Sequence, residues 1–288
     1  MLLLPLTFFF VFRYLPMANV LIAFKTFSLF QTVWEMPWAP SGGMHYFIRA
    51  FSIMDFRLAL RNTVMLNLLD LVIGFPAPII LALLLNELKF KMFKRVTQTV
   101  AYMPHFLSWI IVSGLALQLF APTTGTVNIF IEQMGGESIP FLNNSVWWVI
   151  TYVVLGVWKS VGWNTIIYLA AITNVNPELH EVAEVDGAGR FRRMWNVTLP
   201  SIRPTIIVLL ILNLGHILGS EFDRPLSLSN MLVTDVSTVI SIFVYNWGIR
   251  GLQFSLSAAV GLFQSVVSLF FLLGANALAK KFGERGIW

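Results

Sequence analysis

The chain has 288 residues, 57% of them hydrophobic and only 11% charged, with a formal net charge of +5 and no cysteine. At a mean hydropathy of +0.76 its apolar surface does not fit inside one soluble core, and the composition is that of a polytopic membrane protein. Disulfides and thiolate metal sites are excluded. The four histidines (His45, His105, His180, His216) are too scattered for a metal site, and no GxxxxGK loop followed by Ser or Thr is present to cradle a phosphate.

A membrane-crossing helix needs about 20 mostly apolar residues. Six stretches qualify, at roughly 1–22, 62–86, 98–120, 146–172, 204–222 and 254–278. The opening stretch 2–12 lacks a basic leading region and a small-residue cleavage site, so it reads as part of the first span and not as a removable signal. Pro76 and Pro78 should kink the second span. The third is interrupted by Pro104, and Pro204 is well placed as the first helical residue of the fifth. No internal repeat, low-complexity tract or linker marks a second domain, so residues 1–288 read as one transmembrane unit.

The positive charges sort by side. The links 87–97 (Lys89, Lys91, Lys94, Arg95) and 173–203 (Arg190, Arg192, Arg193, Arg203), with Lys280, Lys281 and Arg285 of the tail, hold eleven. The other side holds six: Lys25, Arg49, Arg57, Arg61, Arg224 and Arg250. The positive-inside rule then places both termini in the cytoplasm. This distribution accounts for the net charge without nucleic acid as a partner. The outer segments 25–57 and 220–253 are long enough for short surface or re-entrant helices.

The cytoplasmic loop at about 173–203 departs from the rest of the chain. In "NPELHEVAEVDG", Asn176 can cap a helix, Pro177 suits its first turn, and Glu178 and Glu181 favour its positive end. Gly187 can take the left-handed conformation that ends it. "RFRRMW" should make a second short basic turn that Pro200 terminates. Helix links in bundles usually take about 2–8 residues, so a fixed protrusion of this length reads either as a solvated loop or as a docking element for a cytoplasmic partner.

The same residues carry a resemblance. Glu181, Ala183, Asp186, Gly187, Ala188, Leu199 and Pro200 match the "EAA…DGA…LP" signature of permease subunits of binding-protein-dependent ABC importers, with Val182 where the family usually has Ala. "FPAPIILALLLNEL", "YMPHFLSWIIVSGL", "VWKSVGW" and "GERGIW" resemble the carbohydrate branch, including the subgroup of alginate-oligosaccharide importers. The resemblance implies an all-α permease in a bacterial inner membrane, with the loop as coupling helix in a cleft of a separate ATPase. It further implies a second homologous permease, two ATPase subunits that hold ATP and Mg, and a periplasmic or extracellular solute-binding protein. The chain itself would carry no cofactor and no metal, and would not be an enzyme on its own.

Ionisable residues far from the membrane interfaces are costly, at roughly 2.5–3.5 kcal/mol on insertion scales, and mark candidate functional positions. Lys159 lies about 13 residues from either end of the fourth span, roughly 20 Å at 1.5 Å per residue, too far to reach an interface. Tyr152 and Trp163 fall on its helical face. His105, Ser108 and Trp109 share a face on the third span, as do Asn213 and His216 on the fifth, and the sixth offers Gln264. Rings beside hydrogen-bonding groups suit an oligosaccharide path, and Lys159 would suit an acidic sugar. The competing reading is helix–helix glue, with Lys159 paired to Asp70. An ion-driven secondary transporter would call for inverted repeats and a carboxylate cluster. An enzyme acting on lipid-linked sugars would call for paired carboxylates or metal ligands. Neither set is found.

Single cysteines in this cysteine-free chain test the topology. Gly136→Cys and Ser229→Cys should react with an impermeant thiol reagent from outside, and Lys91→Cys and Gly283→Cys only after lysis. Reaction at Lys91→Cys in sealed cells would refute the six-span order.

Overall fold

The computed structural model describes residues 2–219, 221–281, 283 and 286. Met1 of the first predicted span, Ser220 of the fifth, and Phe282, Glu284, Arg285, Ile287 and Trp288 of the closing stretch, including most of "GERGIW", lie outside the described residues. Among the described residues the chain is helical, and its one extended pairing is an isolated antiparallel bridge between Lys25 and Trp38.

The first helix, α1 (Leu3–Phe24), is apolar and almost wholly exposed along its surface, as befits a lipid-facing span. A short helix, α2 (His45–Ser52), leads into α3 (Met54–Asn86), which runs as one helix of 33 residues. Pro76 and Pro78 break neither its path nor its length. Their rings fall against carbonyls four residues back, and there the helix widens into a π turn, Asp70–Gly74, closed by Phe75 N–H donating to Asp70 O at 3.0 Å. The expected kink is absorbed as one extra residue per turn.

The third span is not one helix. α4 (Lys91–Phe106) and α5 (Trp109–Phe120) meet at 103°. Leu107 is extended (ψ 137°), and the Ser108 hydroxyl caps α5 by accepting from Ile111 N–H. His105, Ser108 and Trp109 therefore share no helical face. After α6 (Thr126–Gln133) comes α7 (Ser145–Thr173), 29 residues long and capped by the Asn144 side chain.

In the loop read as cytoplasmic, α8 (Pro177–Val185) is followed by α9 (Arg190–Ser201) and α10 (Arg203–Gly215), the last two bent by 61°. Pro200 does not end α9, because a π turn at Met194–Thr198 again takes up a proline. The fifth span is shorter than the predicted 204–222 and stops at Gly215. On the outer side, α11 (Asp223–Leu228) precedes a bent pair, α12 (Met231–Ser237) and α13 (Ile240–Arg250), joined at 114°. α14 (Phe254–Lys281) closes the chain. Four helices are long and apolar enough to cross alone. Among the described residues three further helix pairs, α4–α5, α9–α10 and α12–α13, are apolar enough to cross only if each bent pair is taken as one span.

The α12–α13 pair is pinned from below. Buried Asn62 of α3 donates to Asp235 O and Thr238 O, both at 2.9 Å, and the Thr63 hydroxyl accepts from Ile240 N–H at 2.9 Å. Backbone groups without water must find such partners inside the protein. Val233, Val239, Ile240 and Phe243 are buried in return, packed with Phe56, Trp148 and Leu256 of α3, α7 and α14. A third cluster, at the end of the molecule that carries the 173–203 loop, joins Ala82 and Leu83 of α3 to Tyr168 and Ile172 of α7 and to Ile202 at the α9–α10 bend.

Gly162 lets α4 and α7 touch, since a Cβ there would overlap the backbone carbonyl of Ala101. Gly162→Ala should therefore lower the thermal midpoint of the purified protein by several degrees, an overpacking loss of roughly 1–3 kcal/mol. Gly114→Ala, with open space around it, should leave the midpoint unchanged or raise it. Equal effects at the two positions would refute the close contact.

Candidate functional site

The inner faces of α3, α7 and α10 enclose a cavity of about 400 Å3. Its upper wall is an ion pair. Arg224, at the start of α11, lies across α7 and meets Asp70 on the π turn of α3, with Nη1–Oδ2 at 2.7 Å and Nη2–Oδ1 at 3.2 Å. Nη2 also donates to Tyr152 O at 2.7 Å, and the guanidinium stacks 3.6 Å from the Tyr152 ring centroid. A planar fork that meets a carboxylate with two bonds and a ring with its face is the strong form of each contact. Its crossing of α7 requires Gly156, because a Cβ there would overlap the guanidinium. The arginine side chain is 6% exposed and that of Asp70 30%.

The sequence candidates divide into those that line this cavity and those that do not. Tyr152, Asn213 and His216 line it. Asn213 Nδ2 donates to Leu209 O, and His216 Nδ1 faces Leu212 O, both at 2.8 Å. His105, Trp109, Lys159, Trp163 and Gln264 lie off its wall. Lys159 does not pair with Asp70, whose partner is Arg224. Its ammonium instead donates to His105 O at 3.0 Å and sits 5.3 Å over the Trp109 ring. The His105 ring stacks on Trp163 at 4.5 Å and 2°. Gln264 Nε2 donates to Leu218 O and ties α14 to the segment after α10. Trp109 is thus shared, with Arg224 also 5.3 Å from its centroid.

Arg224 itself was legible only as an outer-side charge, like Lys25, which is also buried. Lys25 Nζ donates to Val33 O at 2.9 Å and Trp34 O at 3.0 Å and lies over Trp38. Asn67, which donates to Ile217 O at 2.7 Å and Gly219 O at 2.8 Å, is a further cavity residue the sequence reading passed over.

The 173–203 loop has a defined shape. Asn176 Oδ1 accepts from Glu178 N–H at 3.1 Å. Gly187 has φ +74°, with Gly187 N–H donating to Glu184 O and Ala188 N–H to Ala183 O, a Schellman ending. Arg193 pairs with Glu184 and locks α9 to α8. Glu181, Ala183, Asp186, Gly187 and Ala188 lie on α8 and its turn, and Leu199 and Pro200 at the root of α9, where Leu199 packs on the cluster of Ala82, Tyr168 and Ile202. Val185, Phe191 and Trp195 stay 88%, 81% and 70% exposed. These three apolar side chains stand bare on a loop that otherwise carries charge.

Comparison with known proteins adds the following. Residues 74–284 match the family described as binding-protein-dependent transport system inner membrane component. The chain is 46% identical to Protein LplB of Bacillus subtilis (strain 168), over 100% of this chain and 90% of that protein. It is 45% identical to the polygalacturonan/rhamnogalacturonan transport system permease protein YteP of the same organism, over 98% and 87%. A crystal structure of a bacterial alginate ABC transporter, in complex with an alginate pentasaccharide-bound periplasmic protein, contains a chain 36% identical at a TM-score of 0.91, covering 100% of this chain and 95% of that one.

The ion pair is testable by a double-mutant cycle. Arg224→Met and Asp70→Asn should each destabilise the purified protein, with Arg224→Met at roughly 3 kcal/mol because a largely enclosed carboxylate loses its partner. The double variant should recover most of that loss. Additive losses in thermal or denaturant unfolding would show that the two side chains are not coupled.

Proposed function

The chain belongs to the family of binding-protein-dependent transport system inner membrane components, and from that premise we propose that it is the permease subunit through which an ABC importer passes an oligosaccharide. It sits in the bacterial cytoplasmic membrane with both termini inside. A soluble binding protein delivers the sugar from outside, a second homologous permease completes the path, and two separate ATPase subunits supply ATP and Mg.

One observation carries this reading. The α8–α9 element is rooted in the cluster of Leu83, Tyr168, Ile172 and Ile202, which belongs to the helices that wall the cavity. A push on the protrusion is therefore a push on α3, α7 and α10, the arrangement that rigid-body alternating access needs. The exposed Val185, Phe191 and Trp195 and the basic Arg190 and Arg192 give a cytoplasmic subunit something to hold. These features support the coupling role of Glu181, Ala183, Asp186, Gly187, Ala188, Leu199 and Pro200 over a merely solvated loop. The oligosaccharide class is supported by the likeness to the polygalacturonan and alginate proteins. Lys159, the cation on which an acidic cargo would have rested, is held by the His105 carbonyl and the Trp109 ring, so the proposal stays with oligosaccharides in general. The path is proposed to run along Tyr152, Asn213 and His216. His105, Trp109, Trp163 and Gln264 are proposed to shape it from behind.

Gly187→Val forces a branched side chain into a left-handed position, a strain of about 1–3 kcal/mol. The variant permease should still reach the membrane. Cargo-stimulated ATP hydrolysis by the assembled complex should fall at least tenfold, or the ATPase should dissociate. Wild-type coupling in Gly187→Val would refute the role assigned to the loop.

A further inference from the structure

We infer that the basic turn at the start of α4 seats an anionic phospholipid, with the headgroup on Lys89, Lys91, Lys94 and Arg95 and the acyl chains along the apolar face of the same helix. The inference goes beyond the permease reading and rests only on the chain crossing a membrane. Within 87–106 the one acid is Glu87, so four cations against one carboxylate leave three net positive charges. Lys89, Lys91 and Arg95 are exposed and Lys94 is half-buried. None of the four side chains makes an ion pair or a hydrogen bond among the described residues. α3 ends at Asn86, just past Ala82 and Leu83 of the cluster that holds Ile172 and Ile202. The cations therefore follow directly on the end of the molecule that carries the 173–203 loop. A bias of positive charge toward one side of a membrane accounts for their number, but not for the surface that adjoins them.

Helical spacing gives α4 three faces. Lys91, Lys94 and Arg95, three and four residues apart, share the first with Gln98. Ala101 lies on the second, with its carbonyl against Gly162 of α7. Met92, Phe93, Val96, Val100 and Met103 form the third, and each of them is 49% to 74% exposed. The bare face is thus the apolar one, and it begins at the basic turn. From Met92 to Met103 it runs roughly 16 Å at 1.5 Å per residue, and the α4–α5 bend follows three residues later. One leaflet of a hydrocarbon core about 30 Å thick is half that depth. The stripe is therefore one leaflet deep, with cations at its shallow end, which is the shape and charge of an acidic lipid. A protein surface on this face would have to bring carboxylates to meet the cations, whereas a bilayer containing acidic lipid supplies both halves.

The chain has no cysteine, so Val96→Cys carries a single bimane fluorophore on the apolar face. The labelled full-length chain is placed in nanodiscs of equal phosphatidylglycerol and phosphatidylcholine, with bromine, a short-range quencher, on the acyl chains of one lipid or of the other. Brominated phosphatidylglycerol should quench roughly threefold more than brominated phosphatidylcholine at low salt, a modest share of what several surface cations supply. Lys91→Gln, Lys94→Gln and Arg95→Gln together should bring the ratio to about one. Lys280→Gln with Lys281→Gln, at the end of α14, should leave it unchanged. Raising the salt from about 0.05 to about 0.5 M should lower the ratio with the basic turn intact, so the test stands even where the triple variant inserts poorly. Equal quenching by the two lipids, quenching by neither, or a ratio that salt does not move overturns the inference. So does a preference that disappears when the second permease and the ATPase subunits are assembled on the labelled chain, because a protein partner then covers the face.

Discussion

A buried guanidinium and a partly exposed carboxylate at the cavity wall organise one half of this molecule. Arg224 and Asp70 are 154 positions apart, and neither would be stable alone between apolar helices. Their pairing requires a crossing of α7, and the crossing requires a glycine at 156. It also fixes the place of α11 and the segment before it, and so gives the cavity its roof. The π turn of α3 meets the same demand from the other side, since it places Asp70 at the point where the helix wall turns inward. Remove the pair and the outer segment loses a charged anchor to α3 beside the cavity.

Around that pair the aromatic residues act as spacers for charge. Trp109 receives the ammonium of Lys159 and the guanidinium of Arg224 at the same 5.3 Å. An indole face attracts cations, so it can sit between two positive groups that would otherwise repel one another. The stacked His105 and Trp163 hold the α4–α5 bend against α7, and the Lys159 bond to the His105 carbonyl satisfies a group that the broken helix leaves open. The intramembrane lysine is thereby explained by the bend.

Much of this was legible in the sequence wherever the cause is local. The cap at Asn176, the left-handed Gly187 and the span read at 146–172, found as Ser145–Thr173, follow from neighbouring residues. The break at Leu107 was half-written: Pro104 was noticed, but Ser108 before "WIIV" is also a helix start signal. Gly215 likewise marks the early end of α10. Helical periodicity grouped Asn213 with His216, which both line the cavity, but it also grouped Tyr152 with Lys159 and Trp163, which do not reach the wall. Arg224 could not be placed, for its partner, its ring and its glycine come from distant parts of the chain. Hydropathy assigns such a residue to a loop. The two π turns that absorb prolines show the same limit, because a rule about kinks does not say whether the chain bends or widens.

The bend at Ile202 has a mechanical consequence. Arg190–Ser201 and Arg203–Gly215 are arms of about 18 and 20 Å at 1.5 Å per residue, joined at 61° by a residue only 1% exposed. A buried joint between two stiff arms of nearly equal length is a bell crank with a gain near one. A rotation of about 10° would carry the tip of the loop arm roughly 3 Å and the far end, next to His216, by a similar distance in a different direction. Stroke at the surface and stroke at the cavity are then of one size, and the elastic give of the joint sets how much is lost between them.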